Sequence, residues 1–123
     1  MQTSKNQTFF FRLRFAWAGI GHALRAEHSL RFQVLAFGFV MIVLAVLRPE
    51  PEWWAMILLA SAAVISAELF NTAVEQLADH LHPDIHPSIR IVKDCAAGAV
   101  LVTSIAALGV AAAFAIHLYA HWM

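Results

Sequence analysis

The stretch that decides the fold is ISAELFNTAVEQLAD, residues 65–79. It closes a hydrophobic run that begins at Trp53 and is long enough to lie in a membrane, yet it carries Glu68, Asn71, Glu75 and Asp79. At about 100° per residue these four side chains share an arc of about 80°, one polar stripe on an otherwise apolar helix. Glu68 lies roughly 22 Å along from Trp53 by helical rise, still within hydrocarbon depth, and Asp79 falls at or beyond the interface. An ionisable group at a membrane-helix centre costs roughly 2.5–3.5 kcal/mol or more, so such a stripe reads as functional by default.

The rest of the chain supports a membrane setting. Of 123 residues, 61% are hydrophobic and 13% charged, against about 45–50% and about 25% in soluble domains. The length suits one domain. Eight basic and eight acidic residues balance, which gives no reason to expect a nucleic-acid partner. The single cysteine, Cys95, excludes an internal disulfide. The first residues lack the long apolar core of a cleaved signal peptide.

Three segments can span a bilayer: about 30–47, about 53–80 and about 94–117. RPEPE separates the first two, and its prolines cannot continue a helix. HLHPDIHPSIR separates the second and third. Trp53 and Trp54 stand where interfacial anchors belong. The Ala, Gly and Ser residues of the third span suit close helix packing in lipid. Before the first span, FFFRLRFAWAGIGHALRAEHSLRF mixes arginines with aromatic residues. It reads as a surface helix over about 9–27, although Gly19 and Gly21 weaken the pattern. The expected fold is therefore an all-α membrane protein with three transmembrane helices and an N-terminal amphipathic surface helix.

Orientation follows from the basic residues. Lys5, Arg12, Arg14, Arg25 and Arg31 flank one side, Arg90 and Lys93 return to it, and Arg48 alone lies opposite. The N-terminus and the 80–93 segment are expected to be cytoplasmic and the C-terminus outside. That topology brings Glu27, Glu75, Asp79, Lys93 and Asp94 to one membrane face, with Glu68 just below. Paired carboxylates can hold Mg2+, which prefers oxygen ligands and bridges phosphates. Lysine neutralises phosphate charge. A further carboxylate at hydrocarbon depth can act as general base. Together they suit phosphorylation of a lipid hydroxyl by a water-soluble phosphate donor.

AELFNTAVEQLAD followed by HPSIRIVKDCAAGAVLV resembles the signature of the small prokaryotic diacylglycerol kinase and undecaprenol kinase family. The resemblance extends from FAWAGIGHALRAEHSLRF through the third span, and the pattern E-x-x-N-x-x-x-E-x-x-x-D followed by K-D is long and specific. It implies a homotrimer in a bacterial inner membrane, with active sites shared between neighbours, MgATP as phosphoryl donor and a membrane lipid as acceptor. On the matching positions it implies Glu68 as catalytic base and Glu27 and Glu75 as metal-holding carboxylates. It makes Asn71 a polar residue of the same site, places Asp79, Lys93 and Asp94 at nucleotide-binding positions, and puts His86 near the adenine. The chain departs from the diacylglycerol branch at Gln33, where that branch has an acidic residue, and at Phe15 and Ala16. FAWAGI looks more like the undecaprenol branch, so undecaprenol and diacylglycerol both stand as acceptors.

Plainer roles compete for several of these residues. Asn71 could be interhelical glue, and Asp94 could cap the third helix. Glu27, between Arg25 and Arg31, could be a solvated interfacial residue. His80, His82 and His86 with Asp84 lack the spacing of a zinc site, and no dedicated histidine metal site is expected. The alternative function is a small oligomeric transporter or proton relay. That reading needs a polar path to the outer face, where the second span offers only Ser61 between Trp53 and Ile65.

Overall fold

The computed structural model describes residues 8–122. Lys5, counted above among the orienting cations, lies outside them. The elements are α1 (Phe9–Ala26), α2 (His28–Leu47), α3 (Pro51–Leu81) and α4 (Pro87–Trp122). The described residues contain no strand. Three helices, α2, α3 and α4, are long and apolar enough to cross a membrane, and α1 precedes them, as the hydrophobic pattern led one to expect.

Each boundary has a local cause. α1 continues through Gly19 and Gly21 and stops at Glu27, whose backbone is extended (φ −111°, ψ 116°). The elbow is closed from both sides. Glu27 N–H donates to Ala23 O at 2.8 Å, and Arg31 N–H donates to Glu27 O at 3.3 Å. The Arg31 guanidinium reaches back to the carbonyls of Leu24 and Arg25, both at 2.9 Å. It thereby satisfies acceptors that a helix end leaves orphaned. Ala23 and Leu30 are buried beneath the elbow.

α2 ends at Arg48, in the left-handed region (φ 51°, ψ 57°), with its N–H on Leu44 O at 2.8 Å. A side-chain-bearing residue there carries strain, and it reverses the chain so that Pro51 can open α3 in the first turn, where proline is preferred. α3 and α4 form the most extensive pairing; α2 packs on α3, and α1 lies against both α2 and α3.

α4 begins at Pro87, so Asp94 sits about two turns inside the helix. The competing capping role does not apply, because the helix starts at the second proline, Pro87. Trp53 and Trp54 also depart from pure interfacial anchors. Both are half-buried against a cluster of Leu44, Ile57 and Phe114, and Trp53 packs on Phe114 with ring centroids 5.1 Å apart.

That cluster is small. Phe32, Phe39, Ile42, Leu59, Leu101 and Leu108 all stand largely exposed. The accessible surface is 9315 Å², against about 6,600 Å² for a compact soluble chain of this mass. A surface this large and apolar is stable only when covered, and the three spans make a bilayer the natural cover. The protein is a membrane protein.

Candidate active site

Glu68 is the deepest charge among the described residues, 5% exposed on the face of α3 turned to α2. A buried carboxylate requires partners. Gln33, on α2, supplies one, donating its Nε2 to Glu68 Oε1 at 2.9 Å. One turn on, the Thr72 hydroxyl, 4% exposed, donates to the Glu68 carbonyl at 3.0 Å. The second carboxylate oxygen of Glu68 is left for another donor.

The polar stripe continues along the same uninterrupted helix. Asn71 donates its Nδ2 to Glu75 Oε1 at 3.3 Å, and both residues are half-buried. Asp79, two turns past Thr72, is exposed. Burial thus falls steadily from Glu68 to Asp79, the gradient the stripe suggested. Two acceptors stand out: Gln33 Oε1 and Asn71 Oδ1 are buried with no hydrogen-bond partner. An orphaned buried acceptor calls for a donor or a cation.

At the exposed end of the stripe the turn between α3 and α4 brings more charges together. Lys93 Nζ pairs with Asp79 Oδ1 across the 82–86 connection. Arg90 pairs with Asp94 at 3.3 Å along α4. His86 lies beside them, its Nδ1 accepting from the Ser88 N–H at 3.1 Å and its ring 5.1 Å from that of His82. His82, His86, Arg90 and Lys93 line a cleft of about 120 Å³. Four of the expected site residues (Asp79, His86, Lys93 and Asp94) therefore gather at one end of the bundle. Glu27 does not join Glu75 directly. It sits half-buried at the α1–α2 elbow, and within the described residues its carboxylate makes no hydrogen bond.

A cavity of about 510 Å³ opens between α2, α3 and α4, lined by Phe32, Gln33, Phe37, Val40, Val64, Ile65, Ala107 and Leu108 among others. It is almost wholly apolar, and Gln33 is the one amide on its wall. The same glutamine thus borders the cavity and holds Glu68.

Sequence reasoning noted Gln33 only as a departure and missed Thr72 and the bridge between His22 of α1 and Gln76 of α3, at 3.3 Å. It also missed a group at the far end of α3. There Glu50, His117 and His121 hold their ligand atoms within 4.8 Å of one another. The Glu50 carboxyl is held below the usual carboxylate range, first by its own backbone amide; burial opposes this, and His117 and then His121 add to the lowering. The spacing HLYAH, which sets two histidines one helical turn apart, was the available signal.

The chain matches the sequence model of the prokaryotic diacylglycerol kinases over residues 14–115. It is 36% identical over 96 residues to the diacylglycerol kinase of Synechocystis sp., covering 77% of this chain and 55% of that one. It is 33% identical over 97 residues to the undecaprenol kinase of Bacillus subtilis, covering 79% of each. The chain therefore spans about half the length of the first relative and about four-fifths of the second.

Proposed function

Because the chain belongs to the prokaryotic diacylglycerol kinase family, we propose that it is a membrane lipid kinase, transferring the γ-phosphoryl group of ATP to the primary hydroxyl of undecaprenol or diacylglycerol. The observation that carries this reading is the buried Glu68 carboxylate, held by Gln33 at the wall of an apolar cavity, with Lys93 of α4 paired to Asp79 farther along α3.

The roles follow from position. The lipid chain lies in the cavity, and its hydroxyl approaches the free oxygen of Glu68. Glu68 takes the hydroxyl proton as the alcohol oxygen bonds to the γ-phosphorus, the bond from that phosphorus to the β-bridging oxygen breaks, and ADP leaves. Gln33 fixes the carboxylate rotamer so that its second oxygen faces the acceptor. Lys93 neutralises phosphate charge, with Asp79 orienting its ammonium in the resting protein. Asp94 and His86 border the nucleotide, His86 through its ring. No alternative path for protons or solutes is favoured, since the cavity beyond Gln33 carries only serine hydroxyls.

The residues fit a Mg2+ ion. Glu75 and the partnerless Asn71 Oδ1 are hard oxygen donors side by side, the ligand type that ion prefers. Glu75, Asn71 and Glu27 would hold it, and when bound it would neutralise charge on the transferring phosphate. Glu27, whose carboxylate makes no hydrogen bond among the described residues, and the large uncovered apolar surface both support a homotrimer with shared sites. The basic flanks support an inner bacterial membrane with the nucleotide side cytoplasmic.

The test is ATP-dependent phosphorylation by the purified protein, with diacylglycerol and undecaprenol offered side by side in mixed micelles. A phosphorylated lipid and stoichiometric ADP are expected. No transfer to either lipid would end the kinase reading.

A further inference from the structure

We propose that Glu50, His117 and His121 form a binding site for a divalent transition metal of the Zn2+ class, which clips the end of α4 to the start of α3. Glu50 and His117 are 67 residues apart in the chain. Glu50 precedes the first turn of α3, while His117 and His121 are one turn apart near the end of α4. Residues so spaced share a helix face, and two such histidines with a carboxylate are a recurrent zinc donor set.

The geometry is close to what a metal needs. Two atoms bound to one tetrahedral Zn2+ at about 2.0–2.1 Å lie about 3.3 Å apart. His117 Nε2 already stands 3.2 Å from Glu50 Oε2. The third ligand atom is within 4.8 Å of both, and it belongs to an exposed side chain free to swing inward. The His117 and His121 ring centroids are 4.3 Å apart, with the ring planes tilted by 45°.

The surroundings pre-set the site. Pro49 and Pro51 flank Glu50 and restrict its backbone. The His117 ring lies 5.1 Å from Trp53, which in turn packs on buried Phe114. The Glu50 backbone and the His117 ring, so restrained, lose little freedom on binding. Three protein donors also leave one coordination position for water.

Chemistry separates this site from the proposed magnesium site. Imidazole suits Zn2+, Cu2+ and Ni2+, whereas Mg2+ prefers oxygen donors alone. Space separates them too: Glu50 and Glu75 stand toward opposite ends of the long helix α3. The plain competing reading is a His117–Glu50 ion pair. That pair has no need of His121; a metal does.

The experiment uses the untagged full chain in detergent micelles, with Zn2+ affinity measured by competition with a chromophoric chelator and thermal unfolding followed with Zn2+ or with a chelator. One Zn2+ per chain and a higher unfolding midpoint with Zn2+ are expected. Mg2+ in large excess should not compete. His121→Ala, at an exposed position, should weaken Zn2+ binding more than about tenfold, the low end for loss of even an outer partner of a ligand. It should also remove the midpoint shift while leaving the chelator-treated protein unchanged. His80→Ala/His82→Ala should retain both binding and shift. Co2+ should give the visible absorption of a tetrahedral site in the wild type and lose it in His121→Ala. Zn2+ binding that is absent, that survives His121→Ala, or that follows the His80/His82 pair would overturn the proposal.

Discussion

Gln33 and Glu68 meet across the α2–α3 interface, the amide donating to the carboxylate at 2.9 Å. Gln33 is a neutral donor at the position where the family resemblance implies an acid in the diacylglycerol branch. The deepest carboxylate is thereby held without a like charge beside it.

Glu68→Gln keeps the size of the side chain and can still accept from Gln33. It cannot take a proton. Turnover should fall on the order of 10²–10⁴-fold while nucleotide binding stays nearly constant. Steady-state kinetics with an independent nucleotide-binding measurement would decide it, and an active variant would remove Glu68 from the role of base.

Gln33→Leu keeps the cavity wall apolar but strips the donor from a buried carboxylate. An unsatisfied buried polar group costs about 1–3 kcal/mol, more when charged, so the thermal midpoint should drop. The kcat should fall with it, and the KM for ATP should hold. Wild-type stability in this variant would mean that Glu68 finds another partner.

Glu75→Gln and Glu27→Gln each withdraw a hard anionic oxygen from the proposed magnesium set. Both should raise the Mg2+ concentration for half-maximal rate. Glu75→Gln should do so the more strongly, because Asn71 already ties Glu75 into the stripe. Unchanged Mg2+ dependence in both variants would move the metal elsewhere.

The three-span reading was legible because spacing and composition are properties of one segment at a time. The stripe of Glu68, Asn71, Glu75 and Asp79 needs only the pitch of a helix. Gln33 as the partner of Glu68 was not legible, because which α2 residue faces α3 depends on how two helices rotate and cross. The start of α4 at Pro87, ahead of the expected bound near residue 94, was not legible either, because Pro83 and Pro87 punctuate the connection alike and only the second opens a helix. The Glu50–His117–His121 group joins distant segments, and nothing local marks that meeting.

Orientation can be read by labelling. In a Cys95→Ser background, Ile85→Cys in the exposed α3–α4 connection should react with an impermeant thiol reagent only from the cytoplasmic side. Glu52→Cys, in the first turn of α3, should react only from outside. The reverse pattern would discard the orientation and the cytoplasmic nucleotide site together.

On the proposed function, the cavity receives the acceptor's chain. Its walls are apolar, and a methylene in such a pocket is worth only about 1–3 kcal/mol. Both lipids should therefore be phosphorylated, with undecaprenol the better substrate on the FAWAGI resemblance. Comparing kcat/KM in the same micelles checks this. A tenfold or greater preference for diacylglycerol would reverse the assignment.

The elbow at Glu27 also works as a depth gauge. Extended backbone is not tolerated against lipid tails, so this residue must ride at the water boundary or against protein. Gln33 follows about 9 Å down α2 at 1.5 Å per residue, and Glu68 lies about 10 Å from Glu75 along α3 by the same rise. Two independent helices thus set nearly the same drop between the charged rim and the buried carboxylate. An alcohol anchored just under the headgroups falls on that mark, whereas one sunk to the bilayer midplane would overshoot it, whatever its chain.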